Sequence, residues 1–253
     1  MRRNFTRRPE VKAFSLYLPR MSIKRVTKDI QQMQSEELSS MGIYYTYNDQ
    51  NVNSGTALLF GPADTPYADI PLVFSVQIPS DYPFSPPSVL ITSSDGQTRF
   101  HPNLYVQGKV CLSILGTWSG PKWASTMNIS TVFKSIVSIL NNNPIINEPS
   151  WERYTLADPV AKLYAEWVEF NLLKHAVHEY RNLKLYAHRE TLWSPFRDVF
   201  DSVWPDRWAR ICRRITEKAS VTPRVTYQSL PYNMSGVADW KRLAEEVVAL
   251  ATP

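Results

Sequence analysis

The stretch that decides both fold and chemistry in this chain is FHPNLYVQGKVCLSILGTWSGPKW, which occupies residues 100–123. It contains the His101-Pro102-Asn103 motif, and Cys111 follows the asparagine eight positions later. One other cysteine, Cys212, is present far downstream. Cys111 therefore has no near neighbour with which it could form a disulfide or a metal clip.

We expect Cys111 to be presented at the surface, because it follows the polar turn Gln107-Gly108. Burial as a small hydrophobic residue is the commonest fate of an intracellular cysteine. An accessible thiol beside a fixed amide side chain instead indicates acyl transfer through a thioester. The thiol would carry the acyl group, and the side-chain NH2 of Asn103 would stabilise the oxyanion.

Motifs on both sides of this stretch support the same chemistry. A Tyr-Pro-Phe-Ser-Pro-Pro run occupies residues 82–87, and Trp123 is followed by Asn143-Pro144 and Glu148-Pro149. In order and spacing over residues 22–180, these motifs resemble those of the ubiquitin-conjugating enzymes. The resemblance implies an α+β catalytic domain: a four-stranded antiparallel meander with flanking helices and the catalytic cysteine on a long loop.

The resemblance also implies an activity and its partners. An activating enzyme would hand ubiquitin or a ubiquitin-like protein to Cys111 as a thioester, and the modifier would then pass to a substrate lysine or a ligase cysteine. The expected partners are therefore the modifier, the activating enzyme, a ubiquitin ligase and a protein substrate. No cofactor is expected, because ATP is consumed by the activating enzyme.

Further residues around the cysteine take roles from the resemblance. Glu148 occupies the position of an acidic gate residue, which would orient the acceptor amine and help it lose a proton. Asn147 is the alternative for that role, and an exposed loop carboxylate without a role is the other explanation. His101, Pro102 and Trp123 are expected to be structural residues of the active site, with His101 pinning the turn by hydrogen bonds to backbone groups.

Two loops resemble the surface that contacts a ligase. Phe84 is an apolar side chain in a proline-rich connection, so it is either an interface anchor or a local plug that folds under the loop. Ala124 and Ser125 begin the second contact loop after Trp123. The proline that the family often has after this tryptophan is missing here.

Three cations lie on one face of the first predicted helix: Lys24, Arg25 and Lys28. In the family this face resembles the docking surface for the activating enzyme. A plain solvent-exposed face is the alternative, because charge runs are usually solvated.

The spacing between the cysteine and the tryptophan departs from the common family pattern. Trp123 follows Cys111 by twelve positions rather than eight, and residues 116–120, here named the lengthened loop, supply the difference. This arrangement resembles a subgroup that includes a giant apoptosis-inhibitor conjugating enzyme and an enzyme that accepts a second ubiquitin-like modifier.

Composition bounds the organisation of the chain. Its 253 residues, 43% of them hydrophobic, accommodate one catalytic domain with extensions. No apolar run approaches the length of a membrane span, so no membrane partner is expected. Two distant cysteines and the absence of a secretory segment predict a reducing compartment, the cytoplasm or the nucleus.

Charge is distributed unevenly along the chain. Residues 1–28 carry a net charge of +8, residues 29–180 carry −7 and residues 181–253 carry +4. We expect residues 1–21 to form a basic N-terminal extension. It could be a solvated tail, a docking arm for an acidic partner or a mitochondrial presequence, although Pro9 and Glu10 interrupt the amphipathic helix that a presequence requires.

Hydrophobic periodicity predicts the elements of the catalytic domain, residues 22–180. They are a helix from Ser22 to about Leu38 with Ile23 on its apolar stripe, strands at 43–48, 56–60, 72–78 and 88–92, and helices at 129–140 and 159–180. Asn128 is the expected cap of the second helix. Four prolines exclude the segment 79–87 from a central strand, and a short helical turn is expected at 111–114.

Residues 181–253 are expected to form a mainly helical C-terminal extension. Helices are predicted at 194–203, 205–218 and 237–250, with an extended connection between Pro223 and Pro231. The last helix has an apolar stripe that begins at Val237, so we expect the extension to pack on the catalytic domain or on a partner.

Other functions were weighed. An inactive adaptor is disfavoured by the presence of both Cys111 and Asn103. A nucleic-acid-binding module is disfavoured because the predicted core is acidic and the basic residues are not interleaved with aromatic ones. His175, His178 and His188 lack the further ligands that a metal site needs.

Overall fold

The computed structural model describes residues 20–185, 191 and 193–251. The predicted basic N-terminal extension therefore lies outside the described residues, apart from its last two positions. His188 is also outside them. Side chains are described for residues 23–185, 191 and 193–250.

A four-stranded antiparallel sheet forms the centre of the fold, and its strands are paired in chain order. The strands are β1 (Ile43–Asn48), β2 (Asn51–Phe60), β3 (Pro71–Gln77) and β4 (Ser88–Ile91). The predicted meander is confirmed, with β2 extending further towards the chain start than expected. Ala57, Phe74 and Ile91 face one another across three strands and are all buried, so the pairing register places a continuous apolar face against the helices.

The described residues form six α-helices: α1 (Arg20–Met33), α2 (Glu36–Ser40), α3 (Ile129–Ile139), α4 (Pro159–Leu185), α5 (Arg197–Val221) and α6 (Trp240–Ala251). Helix α3 covers the sheet, where Phe133 packs edge-on against Phe74. Asn128 caps α3 as predicted, since its side-chain oxygen accepts from the Thr131 backbone N–H at 2.9 Å. This satisfies one of the free donors at the helix start.

The first helix differs from its prediction at both ends. It begins at Arg20 and ends at Met33, and the short helix α2 follows. The break occurs because Ser35 has an extended backbone, with a ψ of 153°. Ile23 is 46% exposed, so the buried stripe of α1 starts at Val26 rather than at Ile23.

The C-terminal extension contains one long helix where two were predicted. Pro205 lies inside α5, although an internal proline costs a helix about 3 kcal/mol. Four side chains on one face of the helix are buried, Phe200, Trp204, Ile211 and Ile215. Each contributes about 1.5–3 kcal/mol on burial, which offsets the cost of the proline. Phe200 and Trp204 contact Phe60 at the end of β2, so the extension packs on the catalytic domain.

The connection after α5 is also a correction, because it forms a two-stranded sheet. Strands β5 (Arg224–Leu230) and β6 (Met234–Asp239) pair antiparallel and are named here the C-terminal hairpin. Val237 lies in β6, so the last helix begins at Trp240 instead. A β-carbon at Gly236 would lie 2.5 Å from Trp167 of α4. The absence of a side chain thus lets the hairpin lie directly on that ring.

Candidate active site

The His-Pro-Asn turn and the cysteine are held together by reciprocal hydrogen bonds. The Cys111 backbone N–H donates to the Asn103 carbonyl at 2.8 Å, and the Asn103 side-chain NH2 donates to the Cys111 carbonyl at 2.7 Å. Between them the chain reverses through Tyr105–Lys109, where Gly108 has a φ of 96° that glycine adopts without strain. The eight-residue spacing therefore places the amide beside the cysteine backbone.

The Cys111 side chain is buried, which contradicts the prediction of a surface thiol. The residue is 1% exposed, and its neighbours Val110 and Leu112 are buried as well. Gln107 of the preceding turn is exposed, but the chain returns to the interior directly after it. The turn itself is therefore exposed to solvent, whereas the cysteine that follows it is not.

The lengthened loop contributes to this closed arrangement. The Thr117 hydroxyl donates to the Val110 carbonyl at 2.7 Å and accepts from the Leu112 backbone N–H at 3.0 Å. These partners are the residues on either side of Cys111. We therefore name this pair of hydrogen bonds the Thr117 clasp, and it ties the loop to the chain around the nucleophile.

Asn103 has the turn-stabilising role that asparagine often takes. It is buried, and its side-chain oxygen has no hydrogen-bond partner in the described part of the chain. The NH2 group carries two hydrogens, and the bond to the Cys111 carbonyl needs one of them. The NH2 group of Asn103 thus lies next to the backbone of Cys111 and has a second hydrogen to donate. Its role as oxyanion donor stays a prediction.

His101 holds the turn against the end of α3. Its Nε2–H donates to the Ile139 carbonyl at 3.0 Å, and its Nδ1 accepts from the Asn103 backbone N–H at 2.9 Å. Burial lowers the pKa of His101 to about 3, so the ring is neutral at physiological pH. Both nitrogens are engaged with the backbone, as expected for the structural role.

Glu148 lies half-buried after the 3-10 turn that contains Asn147. One of its carboxylate oxygens accepts from the Tyr232 hydroxyl at 2.6 Å. The Asn147 amide donates within its own turn, to the Pro144 carbonyl at 3.2 Å. Glu148 is thus held by a residue of the C-terminal hairpin, unlike a free loop carboxylate, and its gate role stays a prediction.

The two predicted ligase-contact loops are joined by Trp123. Its indole N–H donates to the Pro83 carbonyl at 2.7 Å, next to Phe84. Phe84 is 78% exposed, which excludes the local-plug explanation. Ala124 and Ser125 are exposed as well, so all three predicted contact residues are open to a partner. Contact with a ligase itself stays a prediction.

The three cations of α1 do not share one environment. Lys24 and Lys28 are exposed, whereas the Arg25 side chain is 25% exposed and pairs with Asp29 at 3.0 Å. Arg25 also donates to the Ser125 carbonyl at 2.9 Å. Arg25 thus ties the helix to the second ligase-contact loop, and contact of the three cations with an activating enzyme stays a prediction.

Two residues near the site were missed by the sequence analysis. Arg99 donates to the His101 carbonyl at 3.0 Å, and its guanidinium lies 4.9 Å from the ring of Tyr232. Arg99 belongs to no recognised motif, and Tyr232 lies beyond the region where the family pattern ends. No signal in the sequence alone indicates that these residues meet.

Within the described ranges, no three His, Cys, Asp or Glu residues are grouped as metal ligands would be. His175 is buried against Phe100, and the side chain of His178 is exposed. Across the same ranges, no helix has the length and apolar character that crossing a membrane requires.

Comparisons with known proteins agree with the geometry. A family model described as ubiquitin-conjugating enzyme matches residues 25–166. Ubiquitin-conjugating enzyme E2 Z of Danio rerio is 36% identical over 192 residues, which cover 76% of this chain and 57% of that protein. The dual E2 ubiquitin-conjugating enzyme/E3 ubiquitin-protein ligase BIRC6 of Homo sapiens is 44% identical over 121 residues, covering 46% of this chain and 2% of that protein.

The E2 domain of a Toxoplasma gondii ubiquitin conjugating enzyme superposes with a TM-score of 0.42 at 25% identity, covering 57% of this chain and 97% of that domain. The chain spans just over half the length of the Danio rerio relative. Since the family model covers more than half of the chain and includes the cysteine, the asparagine and the gate position, the chain belongs to the ubiquitin-conjugating enzyme family.

Proposed function

We propose that the protein is an active ubiquitin-conjugating enzyme that carries ubiquitin or a ubiquitin-like protein as a thioester on Cys111. The observation that carries this proposal is the reciprocal pair of hydrogen bonds between Asn103 and Cys111. It places a side-chain amide beside a cysteine inside the segment that matches the family model.

Charging would be a transfer between two thiols. The Cys111 thiolate attacks the carbonyl carbon of the modifier's C-terminal glycine, which the activating enzyme holds as a thioester. The new carbon–sulfur bond forms as the old one breaks, and the cysteine of the activating enzyme leaves as a thiolate, which takes up a proton from solvent. Because the incoming carbonyl is already activated, no neighbouring base is required, and His101 is not available as one.

Discharge would transfer the acyl group to an amine or to a ligase thiol. A neutral substrate lysine attacks the thioester carbon, negative charge develops on the carbonyl oxygen, and the Cys111 thiolate leaves. The Asn103 amide would donate to that oxygen, and loss of one such donor costs about 3–4 kcal/mol of barrier. Glu148 would orient the lysine and accept its proton. Holding the two reactants in place contributes more, about 7–11 kcal/mol.

The buried thiol adds a requirement to this proposal. A modifier's C-terminus cannot reach a sulfur in a residue that is 1% exposed, so the chain around Cys111 must open before charging. Release of the Thr117 clasp would remove the side-chain hydrogen bonds between the lengthened loop and the two neighbours of Cys111. If the loop never opens, the same fold would serve as an adaptor that binds pathway proteins without transferring a modifier.

A charging assay with activating enzyme, ATP and ubiquitin tests the proposal. We expect a higher-mass band that a reducing agent removes, that is absent in Cys111→Ala, and that becomes resistant to reduction in Cys111→Ser, because serine forms an oxyester. Cys212→Ser is the matched control. Burial raises the pKa of Cys212 to about 11, so this variant should charge like the wild type. The absence of any band with a panel of ubiquitin-like modifiers would support the adaptor instead.

The finer partners are part of the same proposal. Exposed Phe84, Ala124 and Ser125 fit a ligase surface, and Lys24 and Lys28 fit a docking surface for an activating enzyme. Two distant free cysteines fit the cytoplasm or the nucleus as the site of action. Double replacement of Lys24 and Lys28 by Glu should slow charging without changing discharge to free lysine.

A further inference from the structure

The tip of the C-terminal hairpin lies at the candidate active site. Tyr232 is in the 3-10 turn between β5 and β6, and its hydroxyl donates to Glu148 at 2.6 Å. Its ring packs edge-on against Tyr164 of α4, with centroids 5.8 Å apart. A residue far outside the family segment thus holds the carboxylate that the family pattern places at the gate.

The same ring also reaches the His-Pro-Asn turn through Arg99. The Arg99 guanidinium contacts two aromatic rings, and it lies 3.2 Å from the centroid of Tyr105 and 4.9 Å from that of Tyr232. It donates to the carbonyls of His101 and Pro102. Tyr232 therefore bridges the gate carboxylate and the turn that carries Asn103, with one intervening side chain on the turn side.

The backbone of the hairpin tip has three non-glycine residues with positive φ, which is an unfavourable conformation. Ser229, Tyr232 and Asn233 have φ values of 53°, 62° and 57°, a region that side chains other than asparagine rarely occupy. Such conformations persist only where the surroundings over-determine them, and they cluster at functional sites. Here the tip is fixed by Met234, whose sulfur accepts from the Arg99 backbone N–H, and by the close seat of Gly236 on Trp167.

Tyr232 is suited to act as a permanent donor. Burial and the neighbouring Glu148 raise its pKa well above the ordinary value for tyrosine, so the hydroxyl keeps its proton throughout the pH range of an enzyme assay. The carboxylate of Glu148 has two oxygens, and Tyr232 engages one of them. The other is left for an acceptor amine.

We propose that Tyr232 is a positioning residue of the active site. It holds the Glu148 carboxylate at a fixed position relative to the His-Pro-Asn turn, so the C-terminal extension takes part in transfer to lysine. This inference rests on the proposed function. It concerns the discharge step alone, because charging by thiol exchange has no amine to orient.

The test compares two tyrosine hydroxyls of the same hairpin. Tyr232→Phe removes the donor to Glu148 and keeps the ring. Tyr227→Phe is the matched control, since the Tyr227 hydroxyl lies 3.4 Å from the Glu166 carboxylate and its ring packs on Trp167. For each full-length variant, charging of Cys111 and single-turnover discharge of the thioester to free lysine are measured.

We expect Tyr232→Phe to charge like the wild type and to discharge about tenfold more slowly at pH 7. This factor corresponds to the free energy of one hydrogen bond to a charged group. Tyr227→Phe should match the wild type in both steps. Glu148→Gln should slow discharge as well, and the double variant should be no slower than Glu148→Gln alone, because both changes disable the same carboxylate. At about pH 9 all three defects should shrink, since more of the lysine is then already neutral.

The outcomes separate this inference from the proposed function. A wild-type protein that forms no thioester overturns the proposed function. A wild type that charges, together with a Tyr232→Phe variant that discharges at the wild-type rate, overturns the role of Tyr232 only. Equal losses in charging and discharge, or losses that multiply in the double variant, also overturn it, because they indicate general damage rather than positioning of Glu148.

Discussion

The His-Pro-Asn turn and the tip of the C-terminal hairpin meet at one site but are held there by different forces. Backbone hydrogen bonds hold the turn to Cys111, and two of its residues, Asn103 and His101, complete the reversal with their side chains. The hairpin tip is held by side-chain contacts: Tyr232 with Arg99 and Glu148, and the Met234 sulfur with the Arg99 backbone N–H. We therefore expect changes in the turn to affect chemistry first, and changes in the hairpin to affect positioning and stability.

The largest effect is expected from the turn. Asn103→Ala removes the proposed oxyanion donor, so discharge to lysine should fall by about 10²–10³-fold while charging is retained. Quenched-flow or gel-based single-turnover discharge measures it. Asn103→Asp is the control, because it keeps an oxygen acceptor but cannot donate from a charged carboxylate, and it should be as slow. A discharge rate within a few-fold of the wild type would leave Asn103 with the turn-stabilising role alone.

On the hairpin side, Gly236→Ala is expected to act through packing. The added β-carbon would lie 2.5 Å from Trp167, so the hairpin must shift, at a cost of about 1–3 kcal/mol in the free energy of unfolding. Thermal unfolding measures this, and discharge should fall together with stability because Tyr232 moves as well. Gly96→Ala is the control for backbone strain, since Gly96 also has a positive φ, 75°, while a β-carbon there meets nothing within 4 Å, so Gly236→Ala should lose more stability than this variant. Equal losses of unfolding free energy in both variants would show that the close contact of Gly236 with the Trp167 ring is unimportant.

The Thr117 clasp offers a smaller and more specific effect. Thr117→Val has nearly the same volume and removes both hydrogen bonds of the clasp, while the Thr117 backbone N–H keeps its bond to the Leu112 carbonyl. The closed form should lose about 1 kcal/mol of stability relative to the open form in which the thiol is accessible. We therefore expect Cys111 to react with a thiol reagent about fivefold faster. A Cys212→Ser background ensures that the signal comes from Cys111. Unchanged reactivity would mean that a different contact keeps the thiol closed.

The last expected effect concerns pH. His101 stays neutral in the folded protein down to about pH 3, while a histidine in the unfolded chain takes up a proton near pH 6.5. The unfolded state therefore binds more protons as the pH falls below about 6.5, and folding stability contributed by the neutral ring is lost through that range. The melting temperature of the wild type should fall from pH 7 to about pH 5 more steeply than that of His101→Gln. His178→Gln, at an exposed position, should behave like the wild type.

The parts that could be predicted from sequence are those where local pattern decides structure. Strand alternation gave the four-stranded meander, and a polar residue before an apolar stripe indicated the Asn128 cap. The spacing of Asn103 and Cys111 indicated their contact, because a short reversal with a glycine brings the two backbones together.

The sequence-based predictions that were wrong concern features that depend on contacts between segments distant along the chain. Burial of the aromatic face of α5 offsets the cost of Pro205, which a helix-stop rule cannot weigh. The pairing of β5 with β6 is stabilised by the seat of Gly236 on Trp167, about seventy residues away along the chain. The residues on either side of Cys111 are bonded to Thr117, which lies in a loop whose fold has no sequence signature.

The measurement that tests the account most directly is the intact mass of the Cys111→Ser variant after incubation with activating enzyme, ATP and ubiquitin, followed by peptide mapping under reducing conditions. We expect one added ubiquitin that survives reduction and maps to position 111. A protein that stays unmodified, or a ubiquitin that maps elsewhere, would contradict the claim that this residue carries the modifier.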